Sequence, residues 1–285
     1  MKLATLMDGS RDGQLAVVSR DLTQAHFAAG IATTMQQLLD DWNFVSPQLE
    51  DLSAILNGGK ARHAFAFDPA RCLAPLPRPV AWLRTVGDGL EAGAGGALAG
   101  ARLSLPADPP FELQAQLAVI TADIPCGADA DTALEAVRLL LLAAEAPQAA
   151  ADLAAWRLHT QAWAAFGPVA VTPDELGAAW QRGRIDGLLR VLRAGREAGR
   201  ADTGSAIGGF GRWLAAAAQC RPLAAGTLLA QAVPLSAQNG AADGPTGALR
   251  LALGDSCTLS LETAQAEAPL GRLMVDVDTP AATAA

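Results

Sequence analysis

The run Phe111–Thr121 constrains the fold more than any other part of the chain. Apolar residues at Phe111, Leu113, Ala115, Leu117 and Val119 alternate with Glu112, Gln114, Gln116 and Ala118. That is the period of a strand with one buried face. Glu112, Gln114 and Gln116 then share a face, and the spacing predicts that they point away from the apolar packing. A turn with Pro125 and Gly127 follows. The stretch from Asp131 reads as a helix start, with Thr132 and Glu135 at capping-box spacing. The run Leu139–Leu142 fits either more of that helix or a buried strand, and periodicity alone does not choose.

The totals narrow the class. A chain of 285 residues, 51% hydrophobic, holds one large domain or two unequal ones with a substantial core. The net charge of −8 disfavours a nucleic-acid partner, which needs clustered Lys and Arg. The four cysteines, Cys72, Cys126, Cys220 and Cys257, are far apart and form no Cys-x-x-Cys, so zinc and dithiol chemistry find no support. They read as isolated buried thiols of a reducing cytoplasm. No apolar leader stands at the start, and the apolar run from Val137 to Ala144 is too short to cross a bilayer. The expectation is a cytoplasmic protein with neither membrane nor nucleic-acid partner.

In chain order, Lys2–Met7 and Leu15–Ser19 read as a hairpin around a Gly/Asp turn, and Asp21–Ala28 as turn or strand. Thr33–Phe44 has helical spacing. Ser46-Pro47 reads as the opening of a second helix, ended by Gly58-Gly59. A proline-punctuated passage then places a boundary near residue 74. The Gly-rich run Gly87–Gly100 lacks Gly-Lys-Ser/Thr and reads as a flexible loop, not a phosphate cradle. Ala149–Ala165 reads as helical in part. Val169–Gly177 reads as a strand running into a helix, with Thr172 as N-cap, Pro173 at the first helical position and Glu175 closing a capping box. Ile185–Arg193 reads as a strand, Gly195–Gly204 as a turn, Phe210–Cys220 as a helix, and Cys257–Leu261 and Leu270–Val277 as closing strands.

Several separate pieces resemble one family. They are Lys2-Leu-Ala-Thr, Asp8–Leu15, Val17-Val-Ser-Arg-Asp-Leu22, Phe67-Asp-Pro-Ala-Arg71, Pro75-Leu-Pro-Arg78, Phe166-Gly-Pro168, Val169–Gly177 and Pro222–Ala230. Together with the strand at Phe111–Thr121, they are similar to bacterial members of the fumarylacetoacetate hydrolase family. The resemblance implies an α+β chain: a small N-terminal α/β domain at 1–74, then a larger mixed β-sheet roll at 75–285. It also implies a homodimer. The family reaction is cleavage of a carbon–carbon bond beside a carbonyl, or isomerisation or decarboxylation of related oxo-acids, at a Mg²⁺ or Ca²⁺ ion held by carboxylates.

The chain departs from the pattern at the site itself. The family's Glu-x-Glu reads Gln114-x-Gln116, its later acidic residue falls on Glu145, and its catalytic Lys position reads Gln161. No His lies between His63 and His159. Two amides in place of carboxylates keep oxygen donors and remove about two charges, a difference of a few kcal/mol per close pair. The residues expected to carry chemistry are Glu145, His159 and Gln161, with Glu112, Gln114 and Gln116 binding the substrate. No metal ligand or cofactor is expected, with weakly bound Mg²⁺ or Ca²⁺ as the alternative. Three functions stay open. One is a metal-independent isomerase or cyclase of a small oxo-acid or β-dicarbonyl compound. Another is a catalytically dead paralogue acting as a binding or scaffold partner, an active relative being one such partner, and the last is a metal-dependent hydrolase with relocated ligands.

Overall fold

The structure, a computed structural model, describes residues 1–93, 98–106, 111–147, 163–206, 209–237 and 247–278. The chain starts with β1 (Lys2–Leu6), β2 (Gln14–Val18) and β3 (Gln24–Phe27), followed by α1 (Met35–Asp40), α2 (Trp42–Asn57) and β4 (Phe65–Ala66). The β1–β2 hairpin forms as its Gly/Asp turn predicts. Gly13 in that turn has φ +63, and a Cβ there would meet Leu6 O at 2.7 Å. The second helix does not open at Ser46-Pro47. It starts at Trp42 and carries Pro47 inside it. Val45 and Leu49, one turn apart and both buried, draw the extra turn into the core. A proline so near the helix start removes only one early hydrogen bond. Gly58 and Gly59 end the helix as expected.

The body of the protein is mostly sheet. It runs through β5 (Ala81–Val86), β6 (Gly89–Ala92), β7 (Arg102–Leu105), β8 (Phe111–Thr121), α3 (Ala130–Glu135), β9 (Val137–Ala146), β10 (Trp163–Phe166), β11 (Ala170–Val171) and α4 (Pro173–Leu176). After these come β12 (Trp180–Gln181), β13 (Arg184–Ile185), β14 (Leu188–Arg193), β15 (Arg196–Asp202), α5 (Thr203–Ala206) and α6 (Phe210–Ala218). The last elements are β16 (Thr227–Ala232), β17 (Ser236–Ala237), β18 (Leu249–Leu251), β19 (Ser256–Glu262) and β20 (Arg272–Val277).

Among the described residues, twelve strands form one sheet in the order β4-β3-β2-β1-β11-β9-β8-β16-β5-β6, with β10 on β9 and β18 on β8. A second sheet has the order β17-β15-β14-β19-β20-β7. Both are mixed: β16 with β5 and β20 with β7 pair parallel, while the remaining pairs are antiparallel. The α+β expectation therefore stands. The antiparallel pairing of β1 with β11 carries the large sheet straight into the N-terminal hairpin.

Leu139–Leu142 is strand, not helix. Asp129, rather than Thr132, caps the short α3, its carboxylate accepting from Thr132 N at 2.8 Å. Beyond Glu135 the chain enters a ladder with β8, where Leu142 faces Leu117 and Leu140 faces Val119. The neighbouring strand supplies every backbone partner that a continued helix would have supplied itself. From Ala115 onward β8 is buried on both faces. Phe111, Leu113, Ala115, Leu117 and Val119 join one core cluster, and Ala118 and Ile120 join a second. The single buried face read from the alternation is thus corrected to two, because helices and strands cover both sides of this central strand.

Other expectations change for local reasons. Gly195–Gly204 is not a turn: only Ala194 and Gly195 take positive φ, and Arg196–Asp202 returns as β15 against β14. Thr172 precedes α4 but makes no side-chain cap bond, since its hydroxyl accepts instead from the Met1 ammonium. Cys72 and Cys257 are buried, whereas Cys126 and Cys220 are exposed in the connections after β8 and α6. The flexible loop read at Gly87–Gly100 is in part a hairpin, with β6 paired to β5 around Gly87, φ +55. No helix among the described residues is long and apolar enough to cross a membrane.

Candidate functional site

Three of the residues singled out in the sequence meet on one patch of the large sheet. Gln114 of β8 stands directly opposite Glu145 of β9, and Gln116 follows two residues along on the same face. Glu145 and Gln116 are each 1% exposed. Both lie on the face of the second core cluster, so Gln116 points into packing and not away from it. Gln114 is half-buried. Glu112 shares this face at the strand's beginning, where it lies opposite Arg250 of β18. His159 and Gln161 lie outside the described residues.

The fourth member comes from β5, a strand that the sequence reading did not single out. Arg84 on β5 is 7% exposed and donates through Nη1 to Glu145 Oε2 at 2.9 Å. Its Nη2 donates to Glu91 Oε2 on β6 at 3.2 Å. Arg84 and Glu91 are cross-strand partners in the β5–β6 hairpin. Between β5 and the β8–β9 pair runs β16, whose facing residues are small: Ala230 lies beside Arg84, and Ala232 beside Gln116. Large side chains there would stand between the guanidinium and the carboxylate.

The centre is not fully satisfied. Arg84 Nε and Glu145 Oε1 are buried and make no hydrogen bond among the described residues. A buried donor and a buried acceptor left open are each expensive, by about 1–3 kcal/mol. Burial pushes the Glu145 carboxyl above its ordinary range; the Arg84 charge and the hydrogen bonds from the Arg84 guanidinium and the Gln116 amide pull it back only in part. The result is a carboxylate that takes up a proton more readily than a free one, beside a fixed positive charge.

Comparison with known proteins shows what the chain is similar to. Residues 1–78 match the family model described as fumarylacetoacetase N-terminal domain 2. The chain is similar in fold to maleylpyruvate hydrolase from Sphingobium sp. SYK-6, TM-score 0.71 and 18% identity, over 98% of this chain and 100% of that one. The chain has the fumarylacetoacetate hydrolase fold, opened by that family's N-terminal domain. The same Sphingobium enzyme in complex with manganese(II) and pyruvate gives a TM-score of 0.70 at 18% identity, covering 98% of this chain and 100% of that one. Fumarylacetoacetate hydrolase from Exiguobacterium antarcticum gives 0.67 at 18% identity, over 98% and 99%. No curated protein matches the chain.

A divalent ion does not fit the residues that this chain places at the centre. Among the described residues no three His, Cys, Asp or Glu side chains converge. Mg²⁺, Ca²⁺ and Mn²⁺ take several oxygen ligands with carboxylates supplying charge. Here the patch carries one buried carboxylate, Glu145, already bonded to Arg84, beside neutral amides. The amides were visible in sequence; Arg84 was missed. The one available signal was a lone arginine in the apolar run Ala81-Trp-Leu-Arg-Thr-Val86, where a charged residue inside a buried strand needs a partner.

Proposed function

We propose that this protein binds a small oxo-acid or β-dicarbonyl compound against Arg84, Glu145, Gln114 and Gln116, and moves a proton on it without a metal ion. The observation that supports this most is that Arg84 Nε and Glu145 Oε1, on two side chains joined by an ion pair, are both buried without a hydrogen-bond partner among the described residues. A carbonyl oxygen accepts from the guanidinium. The carboxylate takes a proton from the carbon beside that carbonyl: the C–H bond breaks, an O–H bond forms on Glu145, and the electron pair moves onto the oxygen facing Arg84. Returning the proton to another carbon, or to the oxygen, completes an isomerisation or an enolisation. A preorganised positive charge aimed at a developing oxyanion is the largest single contribution such a site can make. A carboxyl with a raised pKa is the better base.

The test is a panel of acylpyruvates, oxo-acids and β-diketones with the purified protein in excess chelator, following enol absorbance and exchange of the carbon-bound proton with D₂O. Exchange that persists in chelator and is lost in Glu145→Gln supports the reading. Activity that appears only on adding a divalent ion refutes it.

A further inference from the structure

Glu145 and Glu91 converge on one cation, and that cation is covalently part of the chain. We propose that the Arg84 guanidinium is the built-in counter-charge of this centre, and that it closes the wild-type site to divalent ions. The inference rests on the metal-independent reading above.

The geometry is specific. The two η nitrogens of Arg84 go to two different carboxylates, Glu145 at 2.9 Å and Glu91 at 3.2 Å. Glu145 and Arg84 are buried, with side-chain exposures of 1% and 8%, while Glu91 is half-exposed at 48%. One carboxylate therefore lies on the inside of the guanidinium and one on its outer edge. A guanidinium cannot lose its proton at any accessible pH, so the charge is permanent. A divalent ion arriving at Glu145 would meet a like charge at hydrogen-bonding range in a buried site where little water screens the repulsion. It would also have to strip Glu145 of its only ion-pair partner among the described residues.

The same geometry says what removal of Arg84 leaves: two carboxylates directed at a common point, with the Gln116 amide beside the inner one. Two carboxylates, amide oxygen and water are a reasonable oxygen set for Mn²⁺ or Ca²⁺. The guanidinium is thus the group that decides between an ion-binding and an ion-free centre.

The experiment uses the full chain, stripped with chelator and dialysed, titrated with MnCl₂ alone. Thermal unfolding and the Mn²⁺ electron paramagnetic resonance signal are the readouts. Wild type is expected to show no Mn²⁺-dependent change in Tm and no loss of the free-ion signal at 1:1 stoichiometry. Arg84→Met and Arg84→Gln are expected to gain one site, with a Tm rise of about 3 °C or more at saturating ion. Arg84→Met/Glu145→Gln is expected to lose it again. Arg84→Lys, which keeps the charge, is expected to stay closed. Tight binding by wild type overturns the proposal, and so does a folded Arg84→Met or Arg84→Gln that gains nothing. If neither variant folds, the wild-type and Arg84→Lys titrations still decide it, since either one binding Mn²⁺ overturns it. Loss of oxo-compound turnover in chelator sinks the functional reading without touching this result, and Mn²⁺ binding by wild type sinks this one directly.

Discussion

Arg84 and Glu145 form a buried ion pair at 2.9 Å between residues 61 apart in sequence, on strands that do not neighbour one another. Such a pair is a weak source of net stability, because desolvating both charges offsets their attraction. Breaking it is another matter, since one charge is then left alone. Glu145→Leu is expected to destabilise the protein by about 3–5 kcal/mol, and Arg84→Met/Glu145→Leu by less. Chemical denaturation of the two single variants and the double variant gives the coupling directly.

The raised pKa of Glu145 has a definite sign. A carboxyl whose folded pKa lies above its unfolded value of about 4.5 stabilises the fold below that value, and loses this contribution as pH rises through the folded pKa. Asp8, Asp12, Asp21 and Asp129 have lowered pKa values, from hydrogen bonds to Ser10, Arg78, Ser19 and Thr132 respectively, and so act in the opposite direction. Total stability therefore does not isolate Glu145, but a difference does. The stability of Glu145→Gln relative to wild type is expected to increase as pH rises above about 4.5. A flat difference from pH 4 to pH 8 contradicts the assignment.

The thiols separate into two classes. Burial pushes Cys72 up to about 12 and Cys257 up to about 11, so both stay protonated at pH 8. Cys126 and Cys220 are exposed. Ellman's reagent on native protein at pH 8 is expected to titrate two thiols quickly and the other two only after denaturation. Peptide mapping should place the fast label on Cys126 and Cys220.

Gly100 joins the N-terminal part to the sheet by close backbone approach. A Cβ there would stand 2.0 Å from Cys72 O. The obstacle is main chain and cannot rotate away. Gly100→Ala is expected to lower stability by about 1–3 kcal/mol, visible as a fall in Tm. Gly87→Ala, where nothing lies within 4 Å, meets only the cost of a positive φ.

The local half of this protein was legible without coordinates. Alternation at Phe111–Thr121 marked β8, the Gly/Asp turn marked the β1–β2 hairpin, and Gly58-Gly59 marked the end of α2, because each depends on backbone preferences within a few residues. Gln114 and Gln116 were likewise readable as sharing a face, since period two on a strand sets which side chains do so, whereas Glu145 came only from the family resemblance. What the residues alone left open was set by partners far along the chain. Leu139–Leu142 became strand because β8 offered a ladder, and β8 gained a second buried face because both core clusters close over it. Arg84 lay in a short apolar run just before the Gly-rich stretch and was not singled out. Only the parallel pairing of β16 with β5 carries its charge to Glu145, and no period in a one-dimensional sequence encodes which distant strand will be the neighbour.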